Sequence, residues 1–287
     1  QDNERGAMFL EWDGEPVYVN WPECPKYVTM GLRQLLEAPE QYLDAQTHAR
    51  VKLDVNISYE EANFIRETFA EKFNVEVLGK GGPMTSATNH EGLSIVNFGI
   101  GSANAATIMD LLSSIHPKGV LFLGKCGGLK HSTELGHFIL PIAAIRGEGT
   151  SNDYFPKEVP AMPSFKLHKH VSSILVEKGL EYRTGVIYTT NRRVWEHDED
   201  FKKYLGKVRA IGIDMETATI FITGFANGID RGALLLVSDT PMTPEGVKTE
   251  ESDIKITRQY VDLHIEMGIE AMTGIGDEGE TIKHFTY

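Results

Sequence analysis

Cysteine is nearly missing from this sequence. Its 287 residues contain two, Cys24 and Cys126, which make neither a disulfide framework nor a metal-binding set. Long hydrophobic runs are missing too: the longest, such as "ILPIAAI", fall far short of the ~18 residues of a membrane helix. No signal peptide stands out, although the chain starts at Gln1 rather than Met. Positive charge is in deficit. Lys and Arg number 28 against 41 Asp and Glu, a formal net charge of −13, which argues against general nucleic-acid or anionic-membrane binding. A small anion could still bind, but only at a local basic cluster, because the long-range field repels it. These absences lead us to expect a cytoplasmic protein with no metal or other cofactor and no nucleic-acid or membrane partner.

What is present fits a folded protein with a sizeable core: 41% of the residues are hydrophobic and 24% charged. The first fifty residues hold four of the twelve prolines and two of the three tryptophans, and read as an irregular extension covering 1–50. Regular patterning starts at about residue 51. "SYEE" (Ser58, Glu61) is a capping box, and Ile65, Phe69 and Phe73 follow at helical spacing. "LSIVNFGIG", "GVLFLG", "GHFILPIAAI", "TGVIYTT", "RAIGID" and "GALLLVSD" read as strands. "SANAATIMDLLSSI" and the stretches 164–179, 196–205 and 215–227 read as helices, and a last helix carries Ile256, Tyr260, Leu263 and Met267 on one face. Strand and helix alternating without a linker or repeat predicts one α/β domain over 51–273, with an acidic, frayed tail over 274–287.

Chemistry concentrates at two strand ends. In "GIDMETATIF" the acids Asp214 and Glu216 bracket Met215 where a strand meets a helix. An acid there can simply cap the helix and oppose its dipole. Asp239 ends a second apolar strand, "GALLLVSD", before the turn-rich "TPMTPEG". Ligands of open parallel sheets bind outside the carboxyl ends of the strands, so two acids delivered there from separate strands suggest a site. "GIGSAN" joins a strand to a helix start, where free N–H groups can face an anion or simply allow tight packing. "GKCGG" lacks the spacing of a phosphate loop, and the "HKH" at 168–170 reads as a surface stretch.

These segments carry a family likeness. "GIDMETA", "LLLVSD", "NFGIG" and "LGKCGGL" resemble, in order, the motifs of the nucleoside phosphorylase and nucleosidase superfamily, over roughly residues 75 to 270. Within it the chain most resembles the bacterial nucleosidases that act on AMP, through "GSANAATIMD", "RTGVIYTTNRRVWE" and "RGALLLVSDTP". The resemblance implies a nucleoside phosphorylase-like α/β fold with a mixed, mostly parallel central sheet flanked by helices. It implies hydrolysis of the N-glycosidic bond of AMP, and a homo-oligomer, a hexamer built from dimers. Glu216 would accept hydrogen bonds from the ribose hydroxyls and Met215 would pack on the sugar. Asp239, oriented by Ser238, would donate a proton to purine N7, while Asp214 keeps its capping role. Phosphorylases of the superfamily hold phosphate with an Arg two residues before a glycine; here Phe122 precedes Gly124, which favours water over phosphate as the attacking group. Candidates for the 5′-phosphate are Lys125, Arg146, Arg192 and Arg193, with Lys248 behind them, and Trp195 is a candidate for stacking on adenine. A purine nucleoside phosphorylase and a non-catalytic nucleotide-binding module are the competing readings.

Overall fold

The computed structural model describes residues 67–79, 84–242, 246 and 250–275, together with two strands near the N-terminus. Ser58, Glu61, Ile65, Lys248 and the tail from residue 276 lie outside the described residues. Chain contacts divide the protein into two compact units, 1–59 and 60–287. In the first, β1 (Ala7–Trp12) pairs antiparallel with β2 (Glu15–Asn20), so this stretch holds regular pairing where its composition suggested none.

In the second unit a helical stretch covers 67–73, in which the rings of Phe69 and Phe73 lie 4.8 Å apart. A short antiparallel pair follows, β3 (Thr85–Thr88) with β4 (Ser94–Asn97). Five longer-range strands then curl into a closed barrel in the order β5-β8-β7-β6-β9. They are β5 (Val120–Gly128), β6 (Phe138–Gly147), β7 (Tyr182–Thr190), β8 (Gly212–Asp214) and β9 (Arg231–Asp239). The pairs β5–β9, β6–β7 and β7–β8 are parallel, whereas β5–β8 and β6–β9 are antiparallel. The sheet is therefore mixed and mostly parallel, as the resemblance implies, and it closes on itself.

Helices cover it as the apolar patterns require. They are α1 (Ser102–Ser113), α2 (Phe165–Glu177), α3 (Glu199–Val208), α4 (Thr217–Ala226) and α5 (Glu250–Gly274). β9 is a continuous apolar run, the pattern of a strand covered on both faces. Its Ala233, Leu235 and Val237 pack with α1 and α4, while Leu234 and Leu236 pack with α2 and α5. α4 is buried from Thr217 to Gly224, as a helix apolar all round must be. It crosses α1 closely because Ala105 and Gly224 are small: a Cβ on Gly224 would stand 3.0 Å from Met109 Cε. This buried α1–α4 layer fixes the strand ends at which the acids sit.

Candidate active site

One glycine brings the acids together. Gly127 in β5 is registered with Ile213 of β8 on one side and with Asp239 of β9 on the other. β8 runs opposite to β9, so the acids do not meet at the carboxyl edge of an open parallel sheet. The strand ends that carry them flank the same point of β5 because β8 is only three residues long. Gly127 must be glycine there: a Cβ would lie 2.8 Å from Pro241 Cγ and 3.2 Å from Asp239 Oδ2. Cys126, buried next to it, has its thiol pushed well up by burial and then by the charges of Asp214 and Asp239. Gly127 of "GKCGG" thus serves the close approach of β5 to Pro241 and Asp239.

Glu216 is buried at the start of α4. Its Oε1 accepts the Gly101 amide at 2.6 Å and its Oε2 the Met215 amide at 3.2 Å. Ser102 Oγ donates to the Met215 carbonyl at 2.6 Å, a second tie between the "GIGSAN" loop and the acidic segment. Gly101 has a φ of 94°, which an L side chain rarely adopts, and a Cβ there would meet nothing within 4 Å. The loop therefore needs glycine for its backbone shape. Burial, followed by the charge of Asp214, pushes the Glu216 carboxyl up to about 8, against the pull of its two amide donors and of Arg193. Asp214 does cap α4, through Thr217 N at 2.7 Å, from two residues before the helix's first cap position. Ser238 Oγ donates to Asp239 Oδ1 at 2.7 Å.

The basic and aromatic candidates separate sharply. Arg193 is exposed, makes no hydrogen bond or ion pair among the described residues, and exerts its charge on Glu216. Arg192 is paired with Asp198 at 2.8 Å and lies 5.2 Å over the Phe201 ring. Arg146 is withdrawn from the phosphate candidates: all five of its N–H donors are taken. Nε donates to Ser151 Oγ at 2.8 Å, and the terminal nitrogens to the carbonyls of Ser151, Phe155, Pro156 and Val159 and to Asn152. It stitches the 150–159 loop. Lys125 also leaves the site. It alternates with Cys126 along β5 and so takes the α5 face, where its charge acts on buried His264. Trp195 is core, not a stacking platform. It is 4% exposed and packs edge-on to Phe201 with centroids 5.5 Å apart, among Leu129, Tyr188 and Leu205.

Sequence reasoning missed Thr189, whose hydroxyl donates to Asp214 at 2.7 Å, and the specific role of Gly101. Neither a Thr one residue short of a strand end nor a glycine in a strand-to-helix loop signals a partner so far along the chain. A cavity of about 630 Å³ lies elsewhere, between β4, α1, β5 and α5, with Phe98, Phe122, Ile108 and Met272 on its walls. It holds neither Glu216 nor Asp239, so chemistry and not volume locates the site. No group of three or more metal-ligating side chains occurs among the described residues, and no helix there is long and apolar enough to cross a membrane.

Comparison with known proteins gives a consistent picture. Residues 55–268 match the family model described as the phosphorylase superfamily. AMP nucleosidase of Escherichia coli (strain K12) is 31% identical over 202 residues, which cover 67% of this chain and 41% of that protein. The chain thus spans about two-fifths of the length of that relative. A DeoD-type purine nucleoside phosphorylase of Clostridium beijerinckii is 30% identical over 201 residues, covering 68% of this chain and 84% of its own. Among solved structures, the AMP nucleosidase of Bacteroides thetaiotaomicron VPI-5482 is 50% identical with a TM-score of 0.66, covering 75% of this chain and 85% of that one. The uridine phosphorylase of Vibrio fischeri ES114, 24% identical with a TM-score of 0.65 over 74% of this chain and 88% of that one, shares the fold.

Proposed function

The chain belongs to the phosphorylase superfamily, and from that premise we propose that it hydrolyses the N-glycosidic bond of AMP to adenine and ribose 5-phosphate. As the C1′–N9 bond breaks, its electron pair leaves with the base and positive charge builds on C1′ and the ring oxygen. Glu216, held by Gly101 and Met215, accepts the ribose hydroxyls and opposes that charge. Asp239, held by Ser238, gives a proton to purine N7. Water adds to C1′, and the proton it releases restores Asp239 over the cycle. Met215 packs on the sugar.

The observation that carries the reading is Arg193, a cation without a partner among the described residues that acts on Glu216. A neutral nucleoside needs no such group; a 5′-phosphate on an acidic protein does. The 50% identity to an AMP nucleosidase supports the same substrate. The phosphorylase relative at 30% identity favours a second reading, phosphorolysis. Against it, the position for the phosphate-holding Arg is Phe122, whose ring lies 5.9 Å from that of Phe98. Chromatography of AMP, adenosine and IMP digests, each with and without phosphate, decides between them: we expect adenine from AMP at a rate independent of phosphate. Absolute dependence on phosphate would reverse the assignment. We further place the protein in the cytoplasm as a homo-hexamer built from dimers, which light scattering tests; a monomer near 32 kDa would refute the assembly.

A further inference from the structure

The cap at the start of α4 is heavier than a cap requires. A helix start needs a side-chain acceptor for one or two amides; Asp214 receives four donors on two oxygens. Thr189 Oγ1 reaches Oδ1 at 2.7 Å, and Oδ2 takes Thr217 N at 2.7 Å, Glu216 N at 3.3 Å and the Thr217 hydroxyl. Thr189 Oγ1 also accepts Ala218 N at 2.9 Å, which turns its own proton toward Asp214. A carboxyl group that only accepts suits its ionised form. β7, β8 and α4 are thereby tied at one buried point, and the next acid along the chain is Glu216.

We propose that Asp214 is a positioning residue for Glu216: held as an anion by Thr189 and Thr217, it fixes the Met215–Glu216 turn and sets the charge with which Glu216 meets the sugar. The inference rests on the ribose-binding role of Glu216 given above. Two carboxylates this close in a buried site do not both ionise at low cost. Asp214 has four donors and Glu216 two, so the proton settles on Glu216, whose carboxyl is pushed up to about 8. Burial pushes Asp214 upward too, opposed by its hydrogen bonds. The other titratable or charged groups around the pair, among the described residues, are Arg193, which favours ionised Glu216, Cys126, whose burial keeps it a neutral thiol, and Asp239 across Gly127. Glu216 opposes the positive charge growing on C1′ only as its anion, so Asp214, by setting the pH at which Glu216 ionises, sets the fraction of the protein able to stabilise the transition state.

The test combines two readouts on wild type and Asp214→Asn: a ¹³C NMR titration of carboxyl-labelled Glu without substrate, and the pH profile of kcat/KM for AMP. The Glu216 signal is assigned by its loss in Glu216→Gln. We expect its midpoint to fall by roughly 1–2 pH units in Asp214→Asn, and the acid limb of the profile to follow it. Should that variant not fold, Thr189→Val removes one donor to Asp214 and shifts the midpoint the same way by less. An unmoved midpoint with a lower melting temperature reduces Asp214 to a cap and overturns the inference. A moved midpoint in a protein inert toward AMP supports the coupling and defeats the substrate assignment instead. Activity on AMP whose acid limb ignores the moved midpoint defeats the inference alone.

Discussion

Glu216→Gln keeps the shape of the side chain and an acceptor for the Gly101 amide, but removes the ionisation. The group is 8% exposed, and its carboxyl is pushed from 4.5 to about 8, by burial first and by Asp214 second. The folded protein therefore holds a proton that the unfolded chain releases at lower pH. Stability from this group is fully present below about pH 4.5 and drains away as pH rises to about 8. A difference of about 3.5 pH units, at ~1.4 kcal/mol each, sets a ceiling of about 5 kcal/mol. Sharing between two coupled carboxyls and entry of water reduce the expected loss to about 2 kcal/mol, or ~4–8 °C in melting temperature for a chain of this size. Melting curves of wild type and variant at pH 5.5 and 8.5 give the comparison, and wild type should lose that much more than the variant. Parallel losses would refute the reasoning, because the carboxyl would then titrate alike in both states. The same variant should lose ~10²–10³-fold in kcat/KM, the usual effect of removing one preorganised electrostatic contact.

Asp239→Asn should fold and lose ~10²–10⁴-fold in turnover of AMP, the range for a lost general acid; near-normal turnover removes it from the mechanism. Arg193→Ala should weaken AMP by ~10–100-fold in KM while leaving adenosine unchanged, since a guanidinium–phosphate contact contributes ~1.5–3 kcal/mol. An unchanged AMP-to-adenosine ratio would place the phosphate elsewhere. Trp195→Ala should cost ~3–5 kcal/mol of stability at unchanged KM, as a core residue does; a raised KM in a stable variant would restore stacking on adenine.

The strand-and-helix alternation was legible because buried strands such as "GALLLVSD" and the capped or apolar helices announce themselves locally. Glu216 and Asp239 stood out as candidates because two acids end separate apolar strands, although the sequence alone left capping open for the first of them. Closure of the barrel was not. It depends on β8, three residues long and paired antiparallel to β5, and on register between strands about 90 residues apart. The contact of Gly101 with Glu216 likewise spans 115 positions, and nothing near either residue encodes it. Arg146 and Trp195 show a different limit. A residue type can suit a phosphate or a purine, but its neighbours in space decide, and for these two they are loop carbonyls and a hydrophobic cluster. Among the basic candidates, only the finished fold separates a paired Arg192 from an unpaired Arg193.

The central claim is that water, not phosphate, takes the ribosyl group of AMP. Phosphorus NMR of AMP incubated with the protein in phosphate buffer tests it directly. We predict conversion of the AMP signal to ribose 5-phosphate with the inorganic phosphate signal undiminished. Consumption of phosphate with the appearance of ribose 1,5-bisphosphate would contradict it.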